Sequence, residues 1–282
     1  MIKTLRYAAF TTDPAGGNKA GVVPDADGLT DRQMLGIAAE LGYPETAFLA
    51  ALSEGERRYR VRYFAPAMEV PFCGHATIAA AVAVAERSGP GELVFETNAG
   101  TVPVAVAAGP DGVLRATLTS VEPHTTEIAP AELTEALAAL RWSADELDPT
   151  LPPRVAYAGA RHLVLAAGTR ERLAELDYDV ERLTAFMTAH QLITLQLVWP
   201  ASATVYHVRD PFPVGGVFED PATGAAAAAF GAYLRELGRV PEEAELTLHQ
   251  GEDMGSPGEL RVELHAGDPR VRVSGAAVRL PD

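Results

Sequence analysis

The sequence predicts an α+β protein of two pseudo-symmetric domains, each a strand barrel or roll wrapped around a central apolar α-helix, with a cleft between the domains. Two segments carry this prediction: HATIAAAVAVAERSG at 75–89 and TGAAAAAFGAYLRELG at 223–238. Both are apolar nearly all round until the last turn, and a helix without a polar face has to be enclosed. Each helix follows several strand-like segments and a proline-containing loop with an acid, and further strands come after it. The second half of the chain therefore repeats the first.

The elements of the first half follow from apolar patterning and turn residues. Apolar runs at 2–10 and 20–24 predict strands on either side of the turn-rich DPAGGN. A helix begins after Thr30, which can form a capping box with Gln33, and ends at Gly42. The other predicted elements of this half are strands at 46–51 and 57–64, a loop at 66–74, the apolar helix, and strands at 92–98, 101–109 and 114–120.

A change of composition at 121–132, where proline, threonine and glutamate accumulate, predicts the domain junction. We expect one domain at 1–120 and a second at 121–269, with the last strand, 270–282, returning to the first. The predicted elements of the second half are helices at 130–141, 170–189 (two short ones) and 224–237, and strands at 154–158, 161–167, 191–199, 203–208, 244–249, 258–265 and 270–280.

Net charge limits the partners of this protein. The formal charge is −15 and the pI is near 4.9, with the acids spread along all 282 residues. Such a field repels phosphate backbones and anionic lipids, so we expect neither nucleic acid nor a membrane as a partner. The first ten residues predict a strand, not a signal peptide, and no apolar run is long enough to span a bilayer. We expect a cytoplasmic protein.

The inventory of reactive side chains argues against a cofactor or a metal. Cys73 is the only cysteine, which excludes an internal disulfide framework and a cysteine-based zinc cluster. The histidines lack HxxH and HExxH spacing, and neither GxGxxG after a strand nor GxxxxGK occurs. Lys3 and Lys19 are the only lysines, and little around either supports a Schiff base.

Ionisable residues stand at the beginning of both apolar helices. Cys73 and His75 flank Gly74 at the first, and Asp220 precedes Gly224 at the second. Helix N-termini present free backbone N–H groups that bind small anions such as carboxylates, and glycine lets a ligand approach the backbone. Taken singly, each residue has a plainer interpretation: Asp220 followed by proline as an N-cap, Cys73 and His75 as packing residues. The paired arrangement favours a site.

Three motifs resemble one family. YPETAFL (43–49), RYFAPAMEVPFCGHAT (62–77) and GVFEDPATGAA (216–226) are similar to the PhzF-like phenazine biosynthesis isomerases, which have the diaminopimelate epimerase fold. AAFTTDPAGGNKAGVVP (8–24) and HQGEDMGSPGEL (249–260) stand in the order that this family places them, so the resemblance runs along the whole chain.

The resemblance implies a homodimeric, cofactor-independent isomerase, similar to trans-2,3-dihydro-3-hydroxyanthranilate isomerase, that moves a proton on a small cyclic or amino-acid-like carboxylic acid. Glu45 would be the general acid/base, with His75 and Asp220 as its partners in an active-site cleft. We expect Glu45 and Asp220 to titrate as a coupled unit. The implied substrate-binding residues are Asn18, Cys73, Gly74, Ala76, Thr223, Gly224, Ala225 and Gly255.

Two alternatives stay open. The related epimerases and racemases use one thiol from each half; with a single cysteine, an epimerase-like enzyme would set Cys73 against Asp220, which we expect at the position of the second thiol. A catalytically silent metabolite-binding relative is the other alternative. It is suggested by four departures from the family pattern: Lys19, Pro44, Ala225 and Ser256.

Overall fold

The computed structural model describes residues 2–53 and 57–281, which fall into two compact units. Unit 1 comprises Met1–Thr119 and Ser274–Asp282, and unit 2 comprises Ser120–Val273. The helices are α1 Asp31–Leu41, α2 Gly74–Ser88, α3 Pro130–Leu140, α4 Arg170–Ala174, α5 Val180–Ala189 and α6 Gly224–Glu236. The strands are β1 Leu5–Ala9, β2 Asn18–Val23, β3 Glu45–Ala51, β4 Arg58–Phe64, β5 Glu69–Val70, β6 Gly91–Thr97, β7 Gly100–Ala108, β8 Leu114–Thr119, β9 His124–Glu127, β10 Arg154–Tyr157, β11 Arg161–Ala166, β12 Thr194–Pro200, β13 Val205–Pro211, β14 Glu219–Asp220, β15 Ala244–Gln250, β16 Gly258–Leu264 and β17 Val271–Arg279.

Unit 1 is a closed barrel of eight strands around α2. Hydrogen bonding runs in the order β1, β2, β3, β4, β6, β7 and β8, and β17 pairs with both β8 and β1 to close the ring. Helix α2 packs against β1, β2, β3, β7 and β8, and every residue from His75 to Ala85 is buried. Because seven of the fifteen side chains of this helix are alanine or glycine, the strands can approach its axis closely. The enclosed helix predicted from its apolar pattern is confirmed.

Unit 2 repeats the same order of pairings. From β9 to β10, β11, β12, β13, β15 and β16 the pairs are antiparallel, antiparallel, parallel, antiparallel, parallel and antiparallel. In unit 1, the series from β17 to β1, β2, β3, β4, β6 and β7 has the same alternation. Helix α6 packs on β9, β10, β11, β12 and β16, with all residues from Ala226 to Leu234 buried. A second core, which includes Leu137, Phe186 and Leu195, joins α3 and α5 to the strands.

Three short strands fall in segments predicted as loops or as the junction. These are β5, β9 and β14, of two, four and two residues. Two residues cannot display a period of alternation, so β5 and β14 are defined by their pairing with β4 and β13 and not by a pattern of their own. None of the described helices is long and apolar enough to cross a membrane.

Candidate active site

Glu45, Cys73 and His75 meet at the N-terminus of α2 in unit 1. Glu45 is the first residue of β3, Cys73 is the N-cap of α2, and His75 lies in its first turn. His75 Nε2 is 3.3 Å from Glu45 Oε2, and the Cys73 thiol lies 3.5 Å from the same oxygen and 3.4 Å from His75 Nδ1. Cys73 and His75 are buried, while 18% of the Glu45 side chain is exposed. The three groups can exchange protons, and each offers an atom that can bind a metal ion.

Buried hydroxyl groups fix the start of α2 beneath this cluster. Thr77 donates from its hydroxyl to the carbonyl oxygen of Cys73 at 2.7 Å, and the Tyr63 hydroxyl lies 2.6 Å from that of Thr77. Tyr63 is fully buried, and burial raises its pKa above the ordinary value. Cys73 itself caps no backbone N–H with its side chain, so its thiol points to Glu45 and His75 instead. A Cβ added at Gly74 would have no atom within 4 Å other than those of its chain neighbours and its own helix backbone, so the space beside this residue of the first turn is open.

Asp220 does not cap α6. The plain interpretation of Asp220–Pro221 as N-cap and first helical residue is wrong, because the N-cap is Thr223 and Asp220 lies in β14. The Thr223 hydroxyl donates to Asp220 Oδ2 at 2.5 Å. Gln250 holds both residues: its amide nitrogen donates to the Asp220 carbonyl at 2.8 Å, and its oxygen accepts from the Thr223 N–H at 3.0 Å. Asp220 is thus fixed by β14 and Gln250 and remains partly exposed.

The two helix starts have the same local plan. Aligning EVPFCGHA (69–76) with EDPATGAA (219–226) superposes the two N-caps, so Thr223, not Asp220, stands at the position of Cys73. Within this chain the counterpart of Asp220 is Val70, so the expectation that Asp220 takes the place of a second thiol finds no support in this internal alignment. Each segment begins with a glutamate bound through two nitrogens to an arginine, Glu69 to Arg62 and Glu219 to Arg209.

Asp210 is a buried acid that the sequence-based prediction missed. It lies opposite Asp220 in the β13–β14 pair and is fully buried. Burial holds the pKa of Asp210 well above its usual range and the negative charges of Asp220 and Glu219 raise it further, while the nearby Thr223 and Thr194 hydroxyls oppose the shift. The sequence does contain a signal for this residue. When VRYFAP (61–66) is aligned with the similar segment VRDPFP (208–213), Asp210 stands at the position of Tyr63.

A chain of polar groups leads inward from Asp210. The Gln196 amide, oriented with its NH2 towards Asp210, donates to its carboxyl at 2.8 Å. Thr194 bonds to Asp210 and lies 2.8 Å from His162 Nδ1. Burial lowers the pKa of His162 to about 3, so this imidazole is neutral.

The other predicted binding residues occupy diverse environments. Asn18 is buried in β2 opposite Ala9, and Ala76 is fully buried, so that only its backbone can meet a ligand. Ala225 is partly exposed in the first turn of α6, after the buried Gly224. Gly255 is exposed, with a left-handed φ of 78°, after a one-turn 3₁₀ helix. The structure thus brings Cys73 and Gly74 to Glu45 and His75, and Thr223 to Asp220, each set within its own unit.

Comparison with known proteins gives a consistent result. The model of the phenazine biosynthesis-like protein family (PhzC–PhzF) matches residues 7–282. An uncharacterized isomerase of Deinococcus radiodurans is 36% identical, over 98% of this chain and 92% of its own. The trans-2,3-dihydro-3-hydroxyanthranilate isomerase of Pseudomonas aeruginosa is 28% identical, over 96% and 93%. The crystal structure of a Bacillus anthracis phenazine biosynthesis protein of the PhzF family superposes with a TM-score of 0.87 at 28% identity, covering 99% of this chain and 98% of its own.

Proposed function

The chain belongs to the phenazine biosynthesis-like family and is an isomerase, and from that premise we propose that it works without a cofactor by moving a proton on a small cyclic or amino-acid-like carboxylic acid. The observation that carries the proposal is the contact of the Glu45 carboxylate with His75 and Cys73 at the start of α2. The relative that acts on trans-2,3-dihydro-3-hydroxyanthranilate makes a compound of that kind the first substrate to test.

Glu45 is the general base in this proposal. Its carboxylate removes a proton from a carbon atom of the substrate, and the electron pair of that C–H bond moves into the adjoining π system. The same carboxyl then returns the proton to a different carbon. His75, 3.3 Å away, holds Glu45 in position and can share its proton. A general base placed within hydrogen-bond reach contributes on the order of 10²–10⁴ in rate.

The N-terminus of α2 is the proposed binding site of the substrate carboxylate. The first backbone N–H groups of a helix have no intrahelical acceptor and lie at the positive end of its dipole. The open space at Gly74 supports this assignment.

Deuterium exchange tests the proposal even when the product is unidentified. The protein is incubated with a panel of cyclic and amino-acid-like carboxylates in D₂O, and label at carbon is read by NMR or mass spectrometry. We expect exchange with at least one compound and a loss of about 10²-fold or more in Glu45→Gln. Glu40→Gln, at an exposed position of α1 in the same unit, is the matched control and should exchange at the normal rate.

A specific observation supports a second candidate. The Cys73 thiol lies within 3.5 Å of both Glu45 and His75, either of which can take its proton and leave a reactive thiolate. Exchange that survives Glu45→Gln but is lost in Cys73→Ala would identify this epimerase-like chemistry. Absence of exchange across the panel would favour a catalytically silent binding protein.

A second variant tests whether the substrate carboxylate binds at the N-terminus of α2. Gly74→Ala adds a methyl group with no atom within 4 Å other than those of its chain neighbours and its own helix backbone, so the fold should be unaffected. A substrate carboxylate close to the helix N-terminus would collide with it, and KM should rise with an unchanged melting temperature. An unchanged KM would place the carboxylate elsewhere.

A further inference from the structure

We propose that Glu45, Cys73 and His75 also form an open, three-ligand site for Zn²⁺, and that the bound ion stops proton transfer. Thiolate, imidazole and carboxylate are the donors that zinc uses in proteins, and zinc sites that retain an open position have three protein ligands. The sequence lacks the usual signals of such a site, which are closely spaced histidines and clustered cysteines. This donor set comes instead from the start of β3 and the start of α2, 28 residues apart.

The distances within the cluster match a tetrahedral site. Zinc bond lengths of about 2.3 Å to sulfur and about 2.0–2.1 Å to nitrogen and oxygen place tetrahedral ligands about 3.3–3.6 Å apart. The observed separations are 3.3 Å for Nε2 of His75 to Oε2 of Glu45, 3.5 Å for Sγ of Cys73 to the same oxygen, and 3.8 Å for Sγ to Nε2. Only the last pair has to close, by a few tenths of an ångström, for one ion to reach all three atoms.

Burial and charge favour the ion. Cys73 and His75 are 9% and 7% exposed, so little rotamer freedom remains to be lost when they bind. The carboxylate and a thiolate together supply two negative charges to neutralise the cation, and 18% of the Glu45 side chain faces solvent, which leaves a way in. Sulfur and nitrogen donors select Zn²⁺ over the abundant Mg²⁺ and Ca²⁺, which prefer all-oxygen sites.

In these two proposals, proton transfer and Zn²⁺ binding use the same side chains and exclude each other. Coordination to Zn²⁺ withdraws electron density from the Glu45 carboxylate and makes it a weaker base, and the ion occupies the space in front of it, so occupancy should inhibit the isomerase. The inhibition rests on the function proposed above, whereas the binding itself does not. This separation lets the two ideas fail independently.

Cobalt spectroscopy tests the site directly. The full chain, stripped with a chelator, is titrated with Co²⁺, which occupies zinc sites and gives a sulfur-to-metal charge-transfer band together with intense visible bands when tetrahedral. We expect one Co²⁺ per chain, a charge-transfer band that is lost in Cys73→Ser, and displacement by Zn²⁺. His75→Asn and Glu45→Gln should each weaken binding by more than an order of magnitude, with circular dichroism confirming that the variants are folded.

The control lies in unit 2. His207 and Glu252 form a partly exposed pair, with Nδ1 and Oε2 2.5 Å apart, that offers only two ligands. His207→Asn should leave the cobalt spectrum unchanged. A spectrum without the sulfur band, or one that survives Cys73→Ser and disappears in His207→Asn, would overturn the site. If deuterium exchange is found and saturating Zn²⁺ leaves its rate unchanged, the inhibition is refuted even where binding stands.

Discussion

The two arginine–glutamate pairs give a matched test of how burial sets the value of an ion pair. Glu219 binds Arg209 through Nε at 2.9 Å and Nη2 at 2.5 Å, and the side chains are 3% and 8% exposed. Glu69 binds Arg62 with the same two-nitrogen geometry at 2.7 and 2.6 Å, but 27% and 22% of these side chains are exposed. The perturbation is Glu219→Gln, and Glu69→Gln is its control.

The expected magnitudes differ several-fold. Glu219→Gln leaves the guanidinium of Arg209 buried without the charge of Glu219, although its hydrogen bond to the Ala174 carbonyl remains. Breaking a buried ion pair in this way costs about 3–5 kcal/mol. Arg62 keeps Asp31 as a partner at 2.7 Å and stays in contact with water, so Glu69→Gln should cost about 0–1 kcal/mol. Replacing both Arg209 and Glu219 by methionine should cost less than Glu219→Gln, because no charge is left stranded.

The assay exploits the location of the tryptophans. Trp142 and Trp199, the only two in the sequence, belong to unit 2, so their emission during urea or thermal unfolding reports on that unit, and circular dichroism reports on both. At about 2–4 °C per kcal/mol for a unit of this size, Glu219→Gln should lower the Trp-detected midpoint by roughly 10 °C. Equal shifts in Glu219→Gln and Glu69→Gln, or a loss below about 1 kcal/mol in Glu219→Gln, would refute the argument from burial.

Two further predictions concern stability. Gly231→Ala in α6 should lower the free energy of unfolding by about 1–3 kcal/mol, because the added Cβ would lie 2.6 Å from the β-branched side chain of Val262. Gly36→Ala, at an exposed position of α1, should raise it by up to about 1 kcal/mol. Equal effects of the two variants in denaturant titrations would contradict this. Burial raises the pKa of Asp210 in the folded protein, so stability should fall as the pH rises above the pKa of this carboxyl in the unfolded chain, about 4. Asp210→Asn should flatten that decline. An unchanged slope of melting temperature against pH in this variant would contradict the argument.

Local sequence was sufficient for the enclosed helices and their first turns. An apolar surface on every side leaves α2 only a buried environment, and its small side chains suit a tight barrel. The capping box of Thr30 with Gln33 and the end of α1 at Gly42 were also predicted, because they depend on residues within one turn. The motifs around Glu45, Cys73 and Asp220 identified the family in the same way, since each is a short contiguous segment.

Other features depended on contacts that no local pattern encodes. Asp220 followed by proline looked like a helix cap, yet pairing of β14 with β13 draws it into a two-residue strand and passes the cap position to Thr223. Asp210 drew no notice in the sequence, and only the strands around it show that it is buried. The free energy of such pairings comes from burial and from the whole sheet, not from the propensity of the residues themselves.

The sequence by itself determined the family, the enclosed helices and the residue types available for chemistry, because these reside in composition and short motifs. Only the tertiary structure decided that one carboxylate oxygen of Glu45 lies within 3.5 Å of both a thiol and an imidazole from another element. That proximity arises because the first residue of β3 and the first turn of α2 meet at one end of the barrel. It is a long-range contact, and both the proposed general base and the proposed metal site depend on it.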